Sequence, residues 1–221
     1  MDQKALDQQS QYWEKNFLSK PEMFGLKPSE AAINTLKIFK EEKVKKIVEL
    51  GAGLGRDTIF FAKNLINVEA LDYSPEAIKI INKKILENKL SNLISAKIFD
   101  IRKKLPFADS SIEACFSHML YCMALSNSDL NNLNNEILRI LKPGGINIYT
   151  VRHVKDGDYK NGIHMGENLY KNDGFIVHFF SKEKIMDLSK GFEILNIESF
   201  EEGSFPRKLF RVIQKKKLFT R

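Results

Sequence analysis

Three glycines at alternate positions, Gly51, Gly53 and Gly55, follow the apolar run Ile47-Val48 and precede a segment of helical pattern. A glycine turn of this kind lets the backbone approach a ligand closely and aims the N–H groups of a helix start at it. Alone, the pattern fits a nicotinamide or flavin cofactor, or a tight turn with no ligand. Its neighbours narrow the choice. Glu49 stands two residues before Gly51. A carboxylate there repels a pyrophosphate but can hold, directly or through water, the cationic methionine part of S-adenosylmethionine. Leu54-Gly55-Arg56 departs from the G-x-G-x-x-G spacing of dinucleotide sites. Asp72 lies 21 residues past Gly51, at the end of the next predicted strand, where an acidic side chain takes both ribose hydroxyls. Ser74 can cap the helix that follows and so frees Asp72 for ligand work. Asp100 and Ile101 end a third predicted strand and are placed to read adenine, with a carboxylate for the exocyclic amine and an apolar side chain for the ring.

A methyl group on a sulfonium is already activated, so a protein using one mainly aligns a nucleophile and excludes water. A general base is needed only for a nucleophile that starts protonated. His118, Arg152 and His153 follow predicted strands and are the candidate catalytic residues. Each also has an ordinary structural reading, and Arg152 can clamp a substrate carboxylate or pair with Asp156 or Asp158. Tyr121, Tyr159, His164 and His178 are the candidate substrate contacts. No metal is expected, because no H-x-x-x-H or C-x-x-C pair occurs.

The elements that must position these residues alternate short apolar strands with amphipathic helices, the pattern of a doubly wound α/β sheet. Helices are expected over about 2–19, 29–42 and 56–65, from Ser74-Pro75 onward with Ile78, Ile81 and Ile85 as an apolar stripe, and again where Leu130, Leu133, Ile137 and Leu141 make one. Strands are expected at 46–50, 67–71, 94–99, 112–116 and 146–152, with Lys142-Pro143-Gly144-Gly145 ending the fifth helix. Residues 153–180 show no strong periodicity. A short helix over 181–191 precedes two strands, 192–202 and 208–215, joined by a turn with Gly203, Ser204 and Pro206. The expected layout is a single domain over 1–221: cap helices (1–42), cofactor-binding core (43–152), substrate-side insertion (153–180), and last helix with terminal hairpin (181–221).

The 221 residues carry a net charge of +7, which admits a nucleic-acid partner, but the lysines are scattered and only Lys215-Lys216-Lys217 forms a tight run. No apolar run approaches the ~20 residues of a membrane span. The polar start Met1-Asp2-Gln3-Lys4 lacks the apolar core of a signal peptide. With only Cys115 and Cys122, a disulfide framework is not expected and a cytoplasmic location is.

Val48-Glu49-Leu50-Gly51-Ala52-Gly53-Leu54-Gly55 resembles the first motif of class I S-adenosylmethionine-dependent methyltransferases. Ala70-Leu71-Asp72-Tyr73-Ser74 resembles the second, Phe99-Asp100-Ile101 with Leu105-Pro106-Phe107 the third, and Leu141-Lys142-Pro143-Gly144-Gly145 the helix exit before the fifth strand. The likeness covers about residues 45–152. It implies a Rossmann-like seven-stranded sheet, mostly parallel, with an antiparallel C-terminal hairpin strand, and S-adenosylmethionine as cofactor. It extends the cofactor-binding set to Ala52, Asp57, Tyr73, Ser74, Ser117 and His118. More loosely, the flanks resemble small-molecule enzymes of the tellurite-resistance and thiopurine type, in which a short N-terminal helix, here carrying Tyr12 and Trp13, closes over the cofactor. Methyl transfer to a small molecule is the leading expectation. An RNA methyltransferase and a non-catalytic S-adenosylmethionine-binding protein are the alternatives. The acceptor, the nucleophilic atom and the oligomeric state are not legible.

Overall fold

A computed structural model describes residues 3–203 and 207–218. The N-terminal helix divides at Gln8 into α1 (Gln3–Asp7) and α2 (Gln9–Ser19). Met1, Asp2, Ser204 and Pro206, which the expected first helix and last turn include, lie outside the described residues.

The chain then runs α3 (Glu30–Glu41), β1 (Lys46–Leu50), α4 (Arg56–Lys63), β2 (Asn67–Asp72), α5 (Pro75–Glu87), β3 (Ile94–Ile98), β4 (Ile112–Ser117), α6 (Asn127–Ile140) and β5 (Leu141–His153). It continues through β6 (Ile163–Gly166), β7 (Leu169–Asn172), β8 (Phe175–Phe180), α7 (Lys182–Leu188), β9 (Phe192–Glu202) and β10 (Arg207–Lys216). Serines mark the helix starts: Ser29, Ser74, Ser126 and Ser181 each accept a hydrogen bond from a first-turn backbone N–H, satisfying donors that the helix leaves unpaired.

Strands β3, β2, β1, β4 and β5 pair in that order, all parallel. β10 pairs antiparallel with β5, and β9 antiparallel with β10. These seven form the expected mostly parallel sheet with a reversed strand near its C-terminal end. Their faces are nearly continuous in apolar residues because both are covered. One face packs Ile47, Val68, Phe116 and Ile148 against Phe39, Phe61 and Ile81 of α3, α4 and α5. The other packs Val48, Leu71, Tyr149 and Val212 against Leu133, Ile137 and Ile185 of α6 and α7.

Two expectations need correction. The fifth strand begins at Leu141, so Pro143, Gly144 and Gly145 lie inside it and not in a loop before it. The pairing with β4 is irregular between Ile112 and Ala114, and a Cβ at Gly145 would stand 2.9 Å from the Lys142 carbonyl oxygen. The bend needs a residue without one. The segment 153–180 is only in part irregular. After the turns of 154–162, residues 163–180 form an antiparallel meander, β6-β7-β8, whose last strand continues the sheet by pairing with the end of β5 at Arg152 and His153. Its strands are four to six residues long, too short to show a period. No helix among the described residues is long and apolar enough to cross a membrane.

Candidate active site

The carboxyl end of β1 leads directly into the glycine turn. Gly51, Gly53 and Gly55 have φ values of +69°, +53° and +76°, the left-handed region that side chains resist. The three differ in what surrounds them. A Cβ on Gly55 would stand 2.7 Å from Ile81 Cγ1, and one on Gly51 2.9 Å from Leu120 Cδ1. One on Gly53 would meet nothing closer than 3.9 Å. Gly51 and Gly55 are thus fixed by packing, while Gly53 turns its bare Cα to open space.

Asp72 ties this turn to the next strand. Its carboxylate accepts from the Gly53 N–H at 2.8 Å and from the Ser74 N–H at 2.9 Å. Burial pushes its pKa up to about 6, against the pull of these bonds. Glu49 is buried and accepts from the Thr58 hydroxyl at 2.5 Å. Burial, and then the nearby Asp57 carboxylate, hold its pKa well above the usual carboxylate range. Two buried carboxyl groups with lone pairs to spare are groups prepared for hydrogen-bond donors or a cation.

Both open on one cavity of about 740 Å³, within the ~300–1,000 Å³ typical of small-molecule sites. Trp13, Glu49, Gly51, Ala52, Gly53, Asp57, Asp72, Tyr73, Ile101 and His118 of the expected cofactor set line it. So does Arg152. Asp57 is already engaged, accepting from both the backbone N–H and the hydroxyl of Ser29 at 2.7 Å, and so anchors the start of α3.

Other expected cofactor residues stand elsewhere. Asp100 turns away from the lining: Arg102 donates to both its oxygens. Burial opposes ionisation there, but these bonds together hold its carboxyl below the usual range. Gly55 sits under the turn against Ile81. Ser74 is buried as the cap of α5, its hydroxyl donating to Glu14 and accepting from the Ala77 N–H. Ser117 is buried beneath the cavity. Tyr12 supports the lid, donating from its hydroxyl to the Asp173 carbonyl oxygen at 2.6 Å.

On the acceptor side the corrections are larger. Tyr121 is fully buried and stacks on Tyr149, with ring centroids 4.2 Å apart. His178 is fully buried, donates from Nδ1 to the Leu125 carbonyl oxygen at 2.7 Å and is kept neutral by burial and by Lys184, with a pKa near 4. Tyr159 packs on Tyr170 and Phe179, behind the lining. His164 is exposed on β6. His153 faces a separate cavity of about 420 Å³ together with Lys155, Lys182 and Lys208. Arg152 is no open clamp. It is ion-paired with Asp156 and, at 2.6 Å, with Asp158.

His118 is held at both ring nitrogens, by the Thr150 hydroxyl at 3.0 Å on Nδ1 and by Glu202 at 3.0 Å on Nε2. Glu202, Asp173 and the aromatic wall of Phe24, Phe175 and Phe179 line the cavity and have no place in the sequence reading, while Asp158, read there as a possible partner of Arg152, lines it as that partner. The wall had one readable signal. Asp173-Gly174 has positive φ at both residues and joins β7 to β8, and Asp-Gly is a preferred pair for such hairpins. Glu202 had none, being the second of two acids, Glu201-Glu202, at the end of a strand.

α2 closes over this chamber. Gln9 donates to the Gly174 carbonyl oxygen at 2.9 Å and accepts from the Ile176 N–H at 3.1 Å, and Trp13 packs on Phe175 with centroids 5.0 Å apart. The lining as a whole holds six carboxylates and three arginines, in a chain whose net charge is +7. The site is an acidic chamber in a basic protein.

A methyltransferase-domain family model matches residues 47–145. Phosphoethanolamine N-methyltransferase 1 of Triticum aestivum is 32% identical over 126 residues, which is 57% of this chain and 22% of that enzyme's length. This chain therefore matches about a fifth of that relative. Among solved structures, 1,6-didemethyltoxoflavin-N1-methyltransferase of Burkholderia thailandensis, with 1,6-didemethyltoxoflavin and S-adenosylhomocysteine bound, superposes with a TM-score of 0.76 at 13% identity, covering 99% of this chain and 91% of that one. An S-adenosylmethionine-dependent methyltransferase of Methanosarcina mazei gives 0.69 at 19% identity (79% and 93%), and TehB of Haemophilus influenzae gives 0.68 at 15% (93% and 67%).

Proposed function

We propose that this chain, which matches a methyltransferase-domain family model over residues 47–145, is a class I S-adenosylmethionine-dependent methyltransferase and transfers the methyl group of S-adenosylmethionine to a small-molecule acceptor. The observation that carries this reading is that Glu49, Asp72 and the open face of Gly53 meet in the same lidded chamber as the aromatic wall and Glu202. The residues fit the cofactor. Asp72 has the geometry of a ribose-binding carboxylate, Glu49 suits a cationic amino-acid end, and Ile101 offers an apolar face. Bound there, the cofactor supplies a methyl group already activated by its sulfonium.

The chain's own part is to bind, orient and exclude water. Trp13 and Phe175 shield the chamber from above. The loop after β4 is packed against the glycine turn through Leu120, which brings His118 beside the cofactor residues. The wheat relative is named for phosphoethanolamine and the Burkholderia enzyme binds a toxoflavin precursor. Both are small molecules, which supports the same class of acceptor here. An acidic chamber gives the phosphates of an RNA no footing, and no observation favours binding without catalysis.

Calorimetry with S-adenosylhomocysteine is the test. The wild type is expected to bind it, and Asp72→Ala to weaken binding at least tenfold. Binding of a nicotinamide cofactor in place of either adenosyl ligand would overturn the reading.

A further inference from the structure

The charge of the chamber and the polarity of one hydrogen-bonded chain narrow the acceptor. The Glu202 carboxylate can only accept, so His118 Nε2, 3.0 Å from its Oε2, carries a proton and donates to it. The Thr150 hydroxyl, which accepts from the Met119 N–H at 2.9 Å, donates to Nδ1 of the neutral ring at 3.0 Å. Both nitrogens of His118 are therefore committed, and the ring has no lone pair to offer an acceptor. The chain ends on the Glu202 carboxylate, whose remaining lone pairs are the ones available to the cavity it lines. Burial opposes its charge, but the His118 bond, with support from Arg56 and the backbone of Glu30, keeps it ionised. Two of the three arginines of the lining are already answered: Arg152 pairs with Asp156 and Asp158, and Arg56 with Asp57 and the Phe24 carbonyl oxygen. The third, Arg207, is exposed at the start of β10, in register with Glu202.

We propose that Glu202 is the acceptor-recognition residue, positioned by His118 and Thr150, and that the acceptor is an amine. This rests on the methyl-transfer reading above. A fixed carboxylate among aromatic faces selects a cation and rejects an anion. It also suits the reaction. The ammonium that the carboxylate selects first gives up one proton to solvent water. The amine then uses its lone pair for the new bond to the methyl carbon, the electron pair of the broken carbon–sulfur bond stays on sulfur, and the positive charge passes to nitrogen. A carboxylate fixed near that nitrogen stabilises the charge as it develops.

Calorimetry on the full chain saturated with S-adenosylhomocysteine tests this with three probes of one shape at pH 7.5: benzylammonium, benzyl alcohol and benzoate. Benzylammonium is expected to bind at least tenfold more tightly than either of the others. Glu202→Gln should reduce that preference below threefold while S-adenosylhomocysteine affinity stays within twofold. Glu202→Asp keeps the charge and should retain part of the preference, which separates lost charge from lost folding should the glutamine variant be unstable. Equal binding of the probes, no binding of any, a preference for benzoate, or a preference that survives Glu202→Gln overturns the proposal. Failure of the wild type to bind S-adenosylhomocysteine, seen before any probe is added, overturns the cofactor reading and the amine proposal with it.

Discussion

Replacing Gly53 and Gly55 by alanine, one at a time, separates what the glycine turn does for the fold from what it does for the ligand. Both have positive φ, and a left-handed conformation costs an alanine ~1–2 kcal/mol. At Gly55 the added Cβ also falls 2.7 Å from Cγ1 of Ile81, a fully buried side chain with no room to retreat. Overpacking of that kind costs a further ~1–3 kcal/mol, so Gly55→Ala should lose roughly 2–5 kcal/mol in urea unfolding. At Gly53 the nearest atoms are ordinary contacts at 3.9 and 4.0 Å, and the loss should stop near the ~1–2 kcal/mol of the backbone term. The order reverses in calorimetry. The Gly53 methyl group stands in the cavity beside the Asp72 hydrogen bond, and S-adenosylhomocysteine should bind at least tenfold more weakly, about 1.4 kcal/mol. The folded fraction of Gly55→Ala should bind nearly as the wild type does. Equal destabilisation by the two substitutions, or wild-type affinity in Gly53→Ala, would refute the division of labour.

Two further outcomes follow from the same geometry. Asp72 has a native pKa near 6, against an ordinary value of 3.8, so the folded state holds a proton there that the unfolded chain has released. Its contribution to stability is greatest at low pH and is lost as pH rises through about 6. The stability of the wild type relative to Asp72→Asn should therefore rise on acidification from pH 7 to pH 4, by roughly 2–2.5 kcal/mol in urea unfolding. Wild-type affinity for S-adenosylhomocysteine should move the opposite way, falling below pH 6 as the ribose-binding carboxylate is neutralised; flat profiles in both assays would remove the argument. Gln9→Ala leaves the Gly174 carbonyl and the Ile176 N–H without their side-chain partner, a loss of ~1–3 kcal/mol for buried groups. Hydrogen exchange should show the amides of 174–176 opening first, and unchanged protection there would mean the lid is held by Trp13 and Phe175 alone.

The parts legible in the sequence were those built locally. The strand, glycine turn and helix of 46–63, and the serine that caps α5, are read from neighbours a few positions apart. The errors have non-local or overlooked local causes. Asp100, expected at adenine from its place at a strand end, is held instead by Arg102, two residues on, which takes its carboxylate. Tyr121 and His178 lie in apolar runs, Met119-Leu120-Tyr121-Cys122-Met123 and Phe175-Ile176-Val177-His178-Phe179-Phe180, and the core claims them. Thr150, His118 and Glu202 are brought together by three separate strand ends, and no spacing along the chain announces such a meeting. The meander of 163–180 hid because each strand is too short to show alternation.

The closing helix holds its partner hairpin by main-chain atoms: Gln9 on the backbone of Gly174 and Ile176, Tyr12 on the backbone of Asp173. Gly174 is constrained in type, since a Cβ there would strike the Tyr12 ring at 2.6 Å, and so is Phe175, whose ring packs on Tyr12 and Trp13. The side chain at 173 faces the chamber and makes none of these bonds. A descendant or a designer can retune what the enclosure admits by rewriting that one position, and closure is inherited unchanged.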